Sequence, residues 1–196
     1  MLLLNQLDLN SVIIKSMINK MKIVEDYTAY HIIKESTPLY KIGDIINTPF
    51  KQRRDYKHYP QYKQDAERLF ESIRCNYFPK FPSRDTSIFV AQTKEDILNW
   101  ALNLFKDDCI FTCYELILNG QVFWANVEWF DKCIEVFHNN PIFITHKYNV
   151  EQCATNYWSS INDDSFFEEG LFIGNAKVKS IIRYELKNRG IILYEE

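Results

Sequence analysis

Apolar positions along this chain recur with two periods, and the changes of period divide it into elements. Residues 29–33, Ala-Tyr-His-Ile-Ile, are a β-prone run bounded by Thr28 and Lys34, which predicts a first core strand with His31 at its centre. Tyr62, Ala66, Leu69, Phe70, Ile73 and Tyr77 fall at helical spacing, so a helix is expected over 61–78, ended by Pro79 and Pro82. Residues 87–91, Ser-Ile-Phe-Val-Ala, read as a second short strand. Thr93 then precedes Glu95, Asp96, Ile97, Trp100, Ala101, Leu104 and Phe105, the pattern of an N-capped amphipathic helix with acidic residues at its positive end. That helix should direct Trp100 and Phe105 into the core.

Residues 110–118 and 121–127 alternate on either side of Asn119-Gly120, which predicts a two-residue hairpin. A helix is expected over 130–138, a strand over 142–146 and a helix over 150–159. A late sheet segment should run from Phe167 to Ile182 with a turn at Gly174-Asn175, and residues 191–194 close the chain as a β-like run. From Pro38 to Pro60 there is little periodicity, so a long loop or lid is expected there. Strands dominate and helices intervene early, which predicts an α+β fold with a largely antiparallel sheet.

The first residues place Leu4, Leu7, Val12, Ile13, Ile14, Met17, Ile18 and Met21 among Asn5, Asp8, Asn10, Lys15 and Lys20. Such a run is too polar to span a membrane and lacks the unbroken apolar centre of a secretory signal. Residues 1–26 are therefore expected to be an N-terminal helical extension to a single domain over 27–196, in the cytoplasm and with no membrane partner.

Composition narrows the picture further. With 196 residues, 46% hydrophobic and 15% aromatic, the chain can bury one sizeable core, and disorder is excluded. A net charge of −3 gives no field over the whole protein to recruit nucleic acid. The local exception is 51–63, where Lys51, Arg53, Arg54, Lys57 and Lys63 alternate with three tyrosines, the ingredients of phosphate contact and base stacking. A solvated loop accounts for the same composition. The five cysteines include no CxxC and no second pair at metal-site spacing, so they read as reduced, mostly buried thiols, and no metal is expected. Neither a dinucleotide fingerprint nor a P-loop nor a G-x-S-x-G elbow occurs.

Three separated stretches carry candidate chemistry: Tyr30-His31 on the first strand, Pro82-Ser83-Arg84-Asp85-Thr86-Ser87 leading into the second, and Glu168-Glu169-Gly170-Leu171 entering a late strand. Their order resembles the H-[S/Y/T]-E layout of the ADP-ribosyltransferase superfamily. The Phe-Pro-Ser-Arg-x-x-Ser-Ile-Phe stretch, the helix with Ala and Trp after it, and the closing Glu-Gly-Leu-Phe-x-Gly-x-Ala-x-Val look like a little-characterised bacterial branch of it. The resemblance spans residues 29 to about 182.

It implies a split, mainly antiparallel sheet with flanking helices, NAD as substrate, and transfer of ADP-ribose to a protein, nucleic-acid or small-molecule acceptor. By position, His31 would hydrogen-bond a ribose of NAD, and Ser83 or Ser87 would support the strand beside nicotinamide. Tyr30 and Arg84 would share the NAD-binding side, and Tyr30, Phe89 or a tyrosine of 56–62 would stack on nicotinamide. Glu169, or alternatively Glu168, would be the catalytic carboxylate, because cleaving the nicotinamide–ribose bond passes through an oxocarbenium-like ribose that a nearby carboxylate stabilises. Glu169 is preferred because it stands two residues before the apolar Leu171. The resemblance also suggests a toxin-like or phage-conflict role with a neutralising partner protein. Plain structural accounts compete at each position: a strand histidine bonded to backbone, a serine capping a turn after prolines, and a solvated acidic turn after Asp163 and Asp164. Two other functions fit the same residues, a catalytically inert protein-binding domain of the same fold and a nucleic-acid-binding protein using the 51–63 loop.

Overall fold

A computed structural model describes residues 21–34, 38–49, 59–105, 108–138, 149–159 and 168–194. Within them six strands and four helices follow in the order β1 (Met21–Ile33), β2 (Ile45–Asn47), α1 (Gln61–Tyr77), β3 (Ile88–Val90), α2 (Lys94–Leu104), β4 (Cys109–Asn126), α3 (Glu128–His138), α4 (Val150–Ser159), β5 (Glu168–Lys187) and β6 (Gly190–Leu193). The fold is α+β with one antiparallel sheet in the order β1-β4-β5-β2, to which β3 and β6 add by pairing with β5. No described helix is long and apolar enough to cross a membrane.

The described residues cluster into two compact units that interleave along the chain. One takes 21–22, 59–86, 122–138, 149–159 and 168–171; the other takes 23–34, 38–49, 87–105, 108–121 and 172–194. β4 and β5 contribute residues to both.

In the first unit α1, α3 and α4 pack together. Ala66 and Phe70 form the buried stripe of α1, and the Phe70 ring meets those of Phe130 and Tyr157 edge-on at 5.0 and 5.1 Å. The indole of Trp158 donates to the Phe70 carbonyl at 2.8 Å, which satisfies its one polar atom inside an apolar cluster. Helix α4 starts where Asn149 accepts the Glu151 N–H through its side chain at 2.8 Å.

The second unit has its own core, in which Ile97 and Ala101 of α2 lie on Phe111 and Cys113 of β4 and on Tyr184 and Leu186 of β5. Thr93 caps α2 as expected, accepting the Asp96 N–H at 3.1 Å. Trp100 and Phe105 pack against this cluster as partly buried residues.

Strand β1 begins at Met21, so the last six residues of the expected helical extension, 21–26, are strand; residues 1–20 lie outside the described residues. A bulge at Asp26, with φ of 48°, changes the side-chain phase, and Val24 and Ala29 are both buried despite their odd separation. Asn119 holds the bulge, accepting the Asp26 N–H at 3.0 Å and donating to its carboxylate at 3.3 Å.

The predicted hairpin at Asn119-Gly120 is not formed, because β4 runs unbroken from Cys109 to Asn126. Nor does the chain turn at Gly174-Asn175, which lies inside β5. The two glycines face each other: a Cβ on Gly120 would stand 2.2 Å from the Ile173 carbonyl oxygen, and one on Gly174 would stand 2.4 Å from that of Asn119. Glycine is required here for close approach of two backbones, not for a turn. The true tight turn is Asn188-Arg189, with φ of 51° and 59°, joining Lys187 to Gly190 across β5 and β6. Of the expected lid, 45–47 form β2, paired with β5 from Ile45↔Lys177 to Asn47↔Asn175, and 50–58 lie outside the described residues. The strand expected over 142–146 also lies outside them.

Neither crossing glycine can accept a side chain without moving backbone. Gly120→Ala is expected to lower unfolding free energy by about 3 kcal/mol or more, measured by urea denaturation.

Candidate functional site

The Pro82 to Ser87 turn is stapled to the end of α1. Ser83 donates its hydroxyl hydrogen to Glu71 at 3.1 Å and accepts the Asp85 N–H at 3.1 Å. Arg74 pairs with the same Glu71 at 2.7 Å and donates to the Phe81 carbonyl at 3.0 Å. With the turn fixed in this way, Arg84 points into the core of the first unit and is 4% exposed.

Its guanidinium is held on all sides. Nε donates to Glu67 Oε2 at 2.9 Å, and Nη1 donates to the Tyr157 hydroxyl at 2.5 Å and to Glu169 Oε1. Tyr157 donates in turn to Glu169 Oε1 at 2.5 Å. The Phe130 ring lies 4.0 Å from the guanidinium carbon, a cation–π contact. Burial alone would lower the Arg84 pKa, but Glu169 and Glu67 more than offset it and hold the guanidinium charged well above its ordinary range. Burial pushes the Tyr157 hydroxyl up, so it stays protonated and able to donate. Glu169 is buried, 4% exposed, and accepts hydrogen bonds from both Arg84 and Tyr157, whereas Glu168 beside it is half-buried.

In the second unit His31 is 8% exposed and its Nδ1 lies 2.7 Å from the Phe89 carbonyl oxygen. A carbonyl only accepts, so Nδ1 carries the proton, and in the neutral ring Nε2 is an acceptor. The imidazole stacks on Tyr114 at 6.5 Å between centroids, and Tyr40 meets Tyr114 edge-on at 5.7 Å. Tyr114, fully buried, accepts the Leu39 N–H at 2.9 Å and so ties the chain after β1 to this aromatic group. Tyr30 packs on the α2 core, and its backbone exchanges hydrogen bonds with Ala91 at 3.0 and 2.9 Å. Ser87 is buried at the start of β3.

The candidates thus fall into two sets. Arg84 and Glu169 are in direct contact, with Ser83 shaping the turn that delivers Arg84 and Glu168 next in the strand. Tyr30, His31 and Ser87 belong to the other unit. Sequence reasoning missed Glu67 and Tyr157. Glu67 left a trace, since it lies three residues before Phe70 on the buried stripe of α1, where a carboxylate needs a partner. Tyr157 left none that separates it from the apolar residues around it. Among the described residues no group of His, Cys, Asp or Glu could hold a metal ion. Burial raises the thiols of Cys113 and Cys133 to about 12, and Cys75 is exposed.

A family model described as a protein of unknown function, DUF2441, matches residues 60–184. The chain belongs to this family, and the match takes in Glu67, Arg84, Tyr157, Glu168 and Glu169. No curated protein matches the chain.

Two measurements follow from the geometry. Arg84→Met strands two buried carboxylates and is expected to cost about 3–5 kcal/mol in urea denaturation, far more than loss of an exposed pair. At pH 8 iodoacetamide should modify Cys75 readily and leave Cys113 and Cys133 untouched until the chain is unfolded, as mass spectrometry of the modified peptides would show.

Proposed function

We propose that this protein cleaves NAD and transfers ADP-ribose to an acceptor, acting in the cytoplasm. The observation that carries the reading is the hydrogen bond from His31 Nδ1 to the Phe89 carbonyl. It fixes ring orientation and tautomer together, so that Nε2 is an acceptor suited to a sugar hydroxyl, the role that the resemblance gives to this histidine. The α+β architecture with an antiparallel sheet agrees with the resemblance, as do the positions of His31 within β1 and of the Glu168-Glu169 pair at the start of β5.

In this reaction the bond between ribose C1′ and the nicotinamide nitrogen breaks and its electron pair leaves on nicotinamide. A carboxylate at the opening of β5 stabilises the positive charge that develops on the ribose. A lone pair of the acceptor closes the new bond to C1′, and the acceptor's proton passes to water. Water itself serves as acceptor in simple NAD hydrolysis. A protein or nucleic-acid acceptor and a neutralising partner protein belong to the same reading.

Purified protein incubated with NAD is expected to release nicotinamide, and His31→Ala to raise the KM for NAD about tenfold or more, as loss of one buried hydrogen bond to substrate would. NAD at a hundred times its Kd should also stabilise the fold by about 2.7 kcal/mol, seen as a rise in Tm. Absence of both release and thermal shift would favour the catalytically inert protein-binding domain instead.

A further inference from the structure

We propose that β6 is the dimerisation edge of this protein, where a second copy of the chain adds its own β6 antiparallel and joins the two sheets. Such a dimer does not depend on NAD cleavage and involves the second unit alone.

The register of β5 and β6 shows which backbone groups are committed. Lys187 pairs with Gly190 and Glu185 with Ile192, and the Tyr194 N–H donates to the Arg183 carbonyl at 3.0 Å. Gly190, Ile192 and Tyr194 therefore turn their N–H and C=O groups toward β5. The alternation of an antiparallel ladder turns those of Ile191 and Leu193 away from it. Among the described residues β6 pairs with β5 alone, so this side of the strand is an edge of the sheet. From Gly190 to Leu193 it carries no proline, lysine or bulge, the devices that keep sheet edges apart.

Apolar surface accompanies the edge on both faces of the strand. Ile192 is 49% and Leu193 57% exposed, and consecutive strand residues project to opposite faces. Ile191 packs on the α2 core, so Leu193 shares the face on which α2 lies. Leu102 of α2, exposed at the groove it lines with Phe105, Leu186 and Arg189, extends the apolar surface there.

Charge selects a second copy as the occupant and sets its direction. Lys187 and Arg189 precede β6, and beyond the described residues the sequence continues after Tyr194 with Glu195-Glu196. Two copies paired antiparallel bring the basic end of each strand beside the acidic end of the other, whereas a parallel pair would bring like charges together. The two-fold register that uses the outward groups matches Ile191 with Leu193 of the second copy and sets the two Ile192 side chains opposite each other on the axis. Ile191 and Leu193 of each copy then exchange N–H and C=O hydrogen bonds, and both α2 helices lie on one face of a continuous sheet.

Sedimentation equilibrium of the full chain at about 100 μM is expected to give twice its 23.4 kDa and to show dissociation on dilution. Ile192→Lys sets two ammonium groups opposite each other at an exposed position, so it should weaken the dimer at least about a hundredfold and leave the far-UV circular dichroism unchanged. Glu195→Lys with Glu196→Lys in one chain, and Lys187→Glu with Arg189→Asp in another, should each dimerise about tenfold more weakly alone than when mixed one to one, because only the mixed pair brings unlike ends together. A wild-type chain that stays monomeric at about 100 μM overturns the proposal. So does a dimer that Ile192→Lys leaves intact, or a mixed pair no tighter than either variant alone. Should Ile192→Lys fail to fold, amide hydrogen exchange of the wild-type chain decides. Slowing of the Ile191 and Leu193 amides with rising concentration, with Gly190 and Ile192 unchanged, supports the edge, and exchange of Ile191 and Leu193 at one rate at all concentrations overturns it.

Discussion

A guanidinium without water must be answered by charge and hydrogen bonds, and in the first unit Arg84 draws four parts of the chain together to meet that need. Glu67 comes from α1, Tyr157 from α4, Glu169 from β5 and the Phe130 face from α3. Hydrophobic burial around Phe70 and Trp158 supplies the bulk of the driving force there, but it is tolerant of rotation and slippage. The ionic contact is not: it fixes which residue of β5 meets Arg84. Specificity of register, more than stability, is what a buried ion network of this kind can contribute.

The second unit reaches definition by backbone and aromatic means. Asn119 pins the Asp26 bulge, the Tyr114 hydroxyl takes the Leu39 N–H, and the Phe89 carbonyl sets the tautomer of His31. None of these contacts is an ion pair. Each converts a side chain into a directional group with one orientation, which is the condition for an imidazole to recognise a hydroxyl rather than merely fill space.

Much of the fold was legible because helical periodicity and capping are local. The α1 stripe, the Thr93 cap of α2, and the positions of α3 and α4 all follow from residues within a few places of each other. The hairpin failed for a physical reason: Asn-Gly favours a primed turn in part because its glycine lacks a Cβ, and the same lack is what the close approach of two strands requires at Gly120 and Gly174. A sequence window cannot distinguish these uses, because the second partner lies on another strand. The real turn, at Asn188-Arg189, places an arginine at positive φ, where composition gives little signal. For the site, Arg84 and Glu169 stood out as residue types, but their mutual contact did not, since nothing local reports a pairing across 85 positions. Glu67 was visible only as a charge on an apolar stripe.

That separation carries a consequence for the making of the protein. On the ribosome Arg84 follows Glu67 by only 17 positions, while Tyr157 follows Arg84 by 73 and Glu169 by 85. Until the last long strand has been synthesised, the arginine has one carboxylate partner of its final two, and the helices around it cannot close over a fully neutralised charge. The centre of the first unit is thus completed from the far end of the chain, and a nascent protein halted before β5 would hold an arginine committed to a core that does not yet exist.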